Sequence, residues 1–344
     1  MNKFIIHAPN IHQGGGKTLL LPLLLSLNNK VPVVAFLDER LSMPNINISG
    51  LTIIDVKSSI SGRIIGEYEL IKYAKEGDTV LCFGNLPPAL KLKSEVILFL
   101  QNSYLVNNIS LDGFSLKNKI RILLERFWLS FCNKNADRVI VQTVSMQRSI
   151  SLKLNRKSDV IPFYDSDADE VVNSSESEKI YDFVYVASGE PQKNHLNLIE
   201  AWKILAKENI YPSLCLTLSS HKYHELVRYV NDSCKKDNLN IYNRQEINQV
   251  NIKDIYSCSQ ALIFPSTVES FGLPLIEAKA ASLPIIASEL DYVRDVVVPD
   301  VTFDPNSPVS ISRAVKRFMK INQKIEPIIT SEEFLRNLIP SFEN

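Results

Sequence analysis

The sequence has no excess of charge of either sign. Lysine plus arginine and aspartate plus glutamate each number 38 among 344 residues, so the formal net charge is zero. Nucleic-acid binding depends on neutralising phosphates with a basic surface. We therefore predict that nucleic acid is not a partner of this protein.

The sequence is also poor in cysteine. No CxxC pair occurs, which indicates neither a disulfide framework nor a zinc site. Widely spaced cysteines in odd number are typical of a reducing compartment, so we predict a cytoplasmic protein. The five cysteines are Cys82, Cys132, Cys215, Cys234 and Cys258.

Long apolar runs are absent as well. The longest, Leu19 to Leu27, is interrupted by Pro22 and Ser26 and is about half the length that a membrane-spanning helix needs. The apolar run before His7 is too short for the core of a signal peptide. We expect a protein that spans no membrane, although it can still lie on the inner face of one.

A glycine-rich stretch, Gly14 to Thr18 (GGGKT), follows the first apolar run. A phosphate-wrapping P-loop needs a further glycine five positions before Gly16, and that position holds Ile11, which lacks the conformational freedom of glycine. This disfavours an ATPase or GTPase. Such an enzyme also needs an apolar strand that ends in aspartate (the Walker B motif), and the only fair candidate for it ends at Asp38. Two interpretations remain: a flexible turn between strand and helix, or a loop that lets a ligand approach the backbone closely.

Short apolar runs alternate with amphipathic segments along the chain. Apolar runs without alternation suit strands buried on both faces, and strand–helix alternation predicts a parallel sheet covered by helices. The predicted strands are 4–8, 31–37, 51–56, 79–83, 96–101, 138–142, 183–187, 213–218, 261–265 and 284–287. The predicted helices are 18–27, 66–75, 117–133, 145–151, 195–207, 224–235, 274–281 and 309–321. A polar stretch at 165–179 separates the two series and predicts two α/β domains with a ligand cleft between them.

The strongest motif is Phe264–Ala278 (FPSTVESFGLPLIEA). A buried strand leads into a polar loop that carries Glu269, Gly272 permits a tight backbone, and Pro274 suits the first turn of a helix. Glu277 lies one turn further along. Two carboxylates eight positions apart therefore bracket a helix N-terminus, where backbone N–H groups attract an anion.

This stretch resembles the E-x7-E element of retaining glycosyltransferases with the GT-B fold, in particular glycosyltransferase family 4. Tyr185–His195 looks like the strand–loop–helix that carries the family's donor-phosphate lysine, and 135–141 and 284–288 are similar too. The resemblance implies an α/β protein of GT-B architecture, with two doubly wound Rossmann-like domains facing a central cleft. It implies an acceptor-side domain at 1–165, a donor domain at 166–325 and a C-terminal helix at 326–344 that returns to the first domain.

The resemblance also implies roles for individual residues. Lys193 would hold the donor diphosphate, Glu269 would contact the sugar ring, and these two would be the catalytic residues. Glu277 would bind the ribose hydroxyls. Backbone contacts to the donor would come from Phe271, Gly272 and Leu273, and from Gly14, Gly15 and Gly16 as a donor-facing loop of the opposite domain.

Two positions depart from the family pattern. Ser188 stands where the family often has an arginine, which leaves the diphosphate to Lys193 alone or to a further cation such as Lys17. A histidine that faces the acceptor in many members is replaced by Gln101 and Asn102, whose amides cannot serve as bases. Together with Asn85 they are our candidates for the acceptor side.

The implied reaction is retaining transfer of a sugar from a nucleotide-sugar to a glycan or lipid-linked glycan, as in bacterial O-antigen synthesis. No Asp-x-Asp pair stands at a strand end, so we expect neither a metal nor another cofactor. Alternatives are a GT-B sugar-nucleotide epimerase, a P-loop hydrolase that uses Lys17, and a non-catalytic sugar-nucleotide binder.

The basic, aromatic helix at 117–133 is either a packing helix or a contact with an anionic bilayer.

Overall fold

The structure is a computed structural model that describes residues 2–27, 31–43, 50–107, 109–165, 178–245 and 249–321. Its first seven strands are β1 Phe4–Ala8, β2 Val33–Asp38, β3 Leu51–Val56, β4 Thr79–Cys82, β5 Glu95–Phe99, β6 Arg138–Val141 and β7 Asp159–Val160. They form one parallel sheet in the order β3-β2-β1-β4-β5-β6-β7. The helices of this domain are α1 Gly14–Ser26, α2 Ile60–Tyr73, α3 Leu116–Cys132 and α4 Val144–Leu154.

A second parallel sheet follows. Its strands are β8 Tyr181–Tyr185, β9 Leu214–Leu216, β10 Ile241–Asn243, β11 Ser259–Phe264, β12 Ile285–Ser288 and β13 Val301–Phe303, in the order β10-β9-β8-β11-β12-β13. Its helices are α5 His195–Lys207, α6 His224–Asp237, α7 Gln249–Ser257, α8 Leu273–Ala280, α9 Asp291–Arg294 and α10 Pro308–Phe318. The expectation of two doubly wound α/β domains is confirmed.

Each sheet reverses its strand order beside its first strand, between β1 and β4 and between β8 and β11. The crevice at the carboxyl ends of strands beside such a switch point is where ligands of these sheets bind. The loop after β11 also contacts the first domain. The Ser103 backbone N–H donates to Ser270 Oγ at 3.1 Å, and Thr143 Oγ1 donates to the Ser270 carbonyl at 3.1 Å.

The predicted elements differ from the observed ones in three main respects. Helix α2 begins at Ile60 rather than at residue 66. Helix α1 begins at Gly14 rather than at Thr18, so the three glycines form its first turn and are not the loop we expected. The short elements β7, β10, β13, α7 and α9 were not predicted from the sequence. The predicted domain boundary at 165/166 borders residues 166–177 and the predicted helix at 326–344 lies outside the described residues, so both stay predictions.

Candidate active site

A cavity of about 640 Å³ lies between the two sheets. Residues of the first domain that line it follow β1, β4, β5 and β6, and those of the second follow β8, β9 and β11 or begin α8. Both switch points therefore open into one space, as the two-domain expectation requires.

Lys193 and Glu269 meet at the wall of this cavity. Lys193 ends a short 3-10 helix before α5, and Glu269 lies in the loop after β11. Lys193 Nζ is 2.5 Å from Glu269 Oε1, and the side chains are 18% and 14% exposed. Ser266 Oγ donates to the same carboxylate oxygen at 2.7 Å, and Tyr185 Oη donates to the Lys193 carbonyl at 2.8 Å. The two residues that we named as catalytic are thus in contact. Each is positioned by a hydrogen bond from the strand, or the loop directly after the strand, that precedes it in the chain.

Glu277 lines the same cavity from α8. Burial raises the pKa of its carboxyl, and Tyr256 Oη donates to Oε2 at 3.0 Å. Tyr256 could not be singled out from the sequence, because it lies on α7, a helix that no motif marked. Tyr256 thus orients the half-buried carboxylate of Glu277 in the cavity, where it can accept hydrogen bonds from the hydroxyl groups of a ligand.

Gly272 stands at the N-cap of α8 with φ 74°, in the left-handed region that favours glycine. A Cβ there would lie 3.0 Å from Leu275 Cδ1. Phe271, Gly272 and Leu273 all line the cavity. The N-terminus of this eight-residue helix therefore faces the cavity, with the positive end of its dipole toward any anion bound there.

The three glycines of α1 line the cavity from the opposite domain. A Cβ on Gly15 would lie only 3.2 Å from Leu273 Cδ1, so the glycine lets α1 approach α8 closely. Lys17 is not among the described residues that line the cavity, whereas Thr18 is. The P-loop interpretation needs that lysine in the site, and so the geometry does not favour it.

The acceptor-side candidates separate into two groups. Asn85 and Gln101 line the cavity, and the Gln101 N–H donates to Asn85 Oδ1 at 2.5 Å. Asn102 is not among the lining residues; its side chain accepts from the Tyr104 N–H at 3.1 Å and caps a 3-10 helix. Gln142, which we did not single out from the sequence, lines the cavity as well.

Ser188 lines the cavity, where its hydroxyl donates to Glu190. Tyr223 Oη donates to the other oxygen of Glu190 at 2.5 Å. Besides Lys193, a second cation of this domain lines the cavity: Lys222, in the loop after β9. From the sequence we named Lys17 as a further cation, since Lys222 lies in a loop that no motif marks.

Two histidines that flank motifs are structural. His195 is buried, its Nε2–H donates to the Ser188 carbonyl at 2.8 Å, and burial lowers its pKa to about 4. His7 is buried under α2, and burial lowers its pKa to about 3. Neither lines the cavity. Among the residues that the structure describes, no group of three or more His, Cys, Asp or Glu could hold a metal ion; independence from metal stays a prediction.

Comparison with known proteins finds relatives among glycosyltransferases. Residues 167–332 match the model of the family described as Glycosyl transferases group 1. The O-antigen chain mannosyltransferase RfbU of Salmonella typhimurium is 25% identical over 201 residues, which are 58% of this chain and 56% of that protein. The serotype-specific mannosyltransferase WbdA of Escherichia coli is 27% identical over 156 residues, 41% of this chain and 18% of that protein. The chain thus matches about half, or less, of the length of these relatives.

Solved structures show the fold. Anabaena Alr3699/HepE, crystallised with UDP and glucose, superposes with a TM-score of 0.69 at 13% identity, over 93% of this chain and 90% of that one. Sucrose-phosphate synthase from Thermosynechococcus elongatus superposes with a TM-score of 0.68 at 17% identity, again over 93% and 90%. The protein has the GT-B fold, and its second half is similar to the Glycosyl transferases group 1 family and to O-antigen mannosyltransferases.

Proposed function

We propose that this protein is a retaining glycosyltransferase that moves a sugar from a nucleotide-sugar to a glycan or lipid-linked glycan during synthesis of a bacterial cell-surface polysaccharide. The observation that carries the proposal is the contact of Lys193 with Glu269 in a cavity that Glu277 also lines. The mannosyltransferase relatives support the polysaccharide setting.

Each group has a task in this reaction. Lys193 and the N-terminus of α8 stabilise the negative charge that develops on the departing diphosphate. Glu277 accepts hydrogen bonds from the ribose hydroxyls, and Glu269 contacts the sugar ring. The bond between the anomeric carbon and the diphosphate oxygen breaks, and the acceptor oxygen bonds to that carbon on the same face. The proton of the acceptor hydroxyl passes to the diphosphate, so the step uses neither a metal nor another cofactor.

Donor binding is the test. In a thermal-shift screen of UDP-, GDP-, dTDP- and ADP-sugars, we expect one nucleotide class to stabilise the protein, by about 2.7 kcal/mol at a hundredfold excess over Kd. Glu277→Ala and Lys193→Ala should abolish or strongly reduce this shift. The matched control is Lys203→Ala, which removes an ion pair with Glu200 at 2.8 Å on the surface of α5.

Three outcomes would contradict the proposal. Equal shifts in the wild type and in both cavity variants would place the donor elsewhere. Conversion of a sugar-nucleotide without an acceptor would favour the epimerase alternative, and donor binding without transfer to any membrane extract would favour the non-catalytic one.

We also propose that the protein contacts the inner face of an anionic membrane through α3. Six large apolar side chains of this helix share one face and are 49–73% exposed: Leu116, Ile120, Leu123, Leu124, Phe127 and Phe131. Lys117 and Lys119 lie on either side of this stripe, as expected for a helix that rests on anionic lipid. Arg126 is not part of this surface, because its guanidinium donates to the carbonyls of Tyr104 and Asn107 at 2.7 and 3.2 Å.

Helix α2 extends the apolar stripe. Its exposed side chains are Ile64, Ile65, Tyr68 and Ile71, and the charges of Arg63 on α2 and Glu125 on α3 interact between the two helices. An apolar surface of this extent marks an interaction site rather than ordinary solvent-facing surface. No helix in the described part of the chain is long and apolar enough to cross a membrane.

A further inference from the structure

The two walls of the cavity differ in their chemistry. Among the described residues that line it, every charged side chain belongs to the second domain: Glu190, Lys193, Lys222, Glu269 and Glu277. The first domain contributes four side-chain amides and no charged group: Gln13, Asn85, Gln101 and Gln142. The wall that would face the acceptor is therefore polar and neutral.

The amides come from one edge of the first sheet. Each lies just beyond the carboxyl end of a different strand: Gln13 after β1, Asn85 after β4, Gln101 after β5 and Gln142 after β6. Parallel neighbouring strands end at the same edge. The fold thus sets four amides from separate parts of the chain around one space.

Hydrogen bonds to backbone groups fix one polar atom of each of three amides. Gln101 Nε2 donates to the Phe83 carbonyl at 3.0 Å, and Gln142 Nε2 donates to the Phe163 carbonyl at 3.4 Å. Asn85 Oδ1 accepts from the Gln101 N–H at 2.5 Å, and its backbone takes a left-handed φ of 71° that Asn tolerates. The groups that remain for a ligand are the Oε1 acceptors of both glutamines, the Nδ2 donors of Asn85 and the second N–H of each glutamine Nε2.

An aromatic stack supports these amides from behind. The ring centroids of Phe83 and Phe99 are 5.0 Å apart, and those of Phe99 and Phe163 are 5.6 Å apart. Phe83 and Phe163 supply the carbonyls that hold Gln101 and Gln142. The amides are therefore positioned by a packed layer and need little rearrangement to bind a ligand.

From this geometry we propose that the four amides form the acceptor subsite and select an uncharged sugar ring. The inference rests on the proposed transferase function. Fixed acceptors and fixed donors match sugar hydroxyls, each of which both donates and accepts. A phosphate or carboxylate would lose its hydration without meeting a cation on this wall, which is strongly unfavourable. The amides orient the acceptor hydroxyl and take no proton from it; the proton passes to the departing diphosphate.

The test compares neutral saccharides with anionic ones. Saturation-transfer NMR with the full chain and bound UDP or GDP should detect methyl α-mannoside and other neutral glycosides, but neither mannose 6-phosphate nor methyl glucuronide. Gln101→Ala and Gln142→Ala should weaken binding of the neutral glycoside about tenfold each. They should leave the thermal shift by the nucleotide as in the wild type, which shows that the fold and the donor site are intact.

The matched control is Gln147→Ala. The Gln147 amide also donates to a backbone carbonyl, that of Ser158 at 2.6 Å, but lies outside the cavity, so this variant should bind glycosides normally. Preference for the anionic sugars, or no binding of any neutral glycoside beside a bound nucleotide, overturns the inference. So does an equal loss of nucleotide and glycoside binding in the amide variants. A wild type that no nucleotide stabilises instead overturns the proposed function itself.

Discussion

His195 is a buried histidine that begins α5 and stays neutral in the folded protein. Its Nε2–H is bonded to the Ser188 carbonyl, and burial lowers its pKa from 6.5 to about 4. The unfolded chain therefore binds more protons than the folded one between these two values. The contribution of His195 to the free energy of unfolding is fully present above pH 6.5 and is lost as the pH falls toward 4. For this one group the loss at pH 5 is about 2 kcal/mol relative to neutral pH.

We predict that His195→Gln, whose amide can still donate to Ser188, removes this part of the acid sensitivity. In a Trp128→Phe background, Trp202 on the same helix is the remaining tryptophan and reports unfolding of the second domain. Urea denaturation at pH 7 and pH 5 should show about 2 kcal/mol less loss in the variant. His224→Gln, at the exposed start of α6, is the control. An unchanged loss in His195→Gln would contradict the assignment.

The site residues that could be predicted from the sequence are those carried by local motifs. Lys193, Glu269 and Glu277 each stand at a fixed distance from a strand end or a helix start, so the order of the chain predicts where they lie. Tyr256 and Lys222 could not be found in this way. Their roles arise from packing between elements far apart in the sequence, and no spacing records that.

At the scale of the element, α1 shows how packing overrides local propensity. Three glycines at its start disfavour a helix, and for this reason we predicted a loop and a later helix start; Pro22 also lies inside the observed helix. The helix forms because Leu19, Leu20 and Leu24 are buried. The short strands β7, β10 and β13 were not predicted, because two or three residues are too few to reveal a hydrophobic periodicity.

The exposed stripe of α3 gives a prediction about a whole element. Phe127 and Phe131, with ring centroids 4.4 Å apart, are 63% and 70% exposed. The variant Phe127→Ser/Phe131→Ser removes a large apolar area from the contact. In vesicle sedimentation we expect at least about tenfold weaker binding to phosphatidylglycerol-containing vesicles. Lys117→Glu/Lys119→Glu should also weaken binding to these anionic vesicles, and its effect should be smallest at high salt, where the charges are screened.

The control for this helix is Leu152→Ser on α4, because Leu152 is 88% exposed but lies outside the stripe. It should bind vesicles as the wild type does. Binding that is equal for neutral and anionic vesicles, or unchanged in the double serine variant, would contradict the membrane proposal. A dimer in analytical ultracentrifugation that the serine variant abolishes would instead assign the stripe to contact between copies.

At the scale of the molecule, the resemblance predicted two facing domains correctly, but it could not predict how they touch. The contacts use backbone groups: the N–H of Ser103, the carbonyl of Ser270 and the N–H of Ser145, which donates to Asp295 Oδ2 at 2.7 Å. Backbone groups leave no signature in the sequence. Ser270 lies between Glu269 and Phe271, so contact between the domains also fixes the loop that carries Glu269.

We therefore predict that Ser270→Ala/Asp295→Ala opens the cleft. Each substitution removes a hydrogen bond between the domains, and the bond to the Asp295 carboxylate is the stronger because its acceptor is charged. The equilibrium should shift toward separated domains by at least about tenfold, which small-angle X-ray scattering detects as a larger radius of gyration. Asp291→Ala is the matched control, since Asp291 and Arg148 are 4.0 Å apart, 85% and 69% exposed, and such pairs contribute little. Identical scattering from the double variant and the wild type would show that these bonds do not hold the cleft closed.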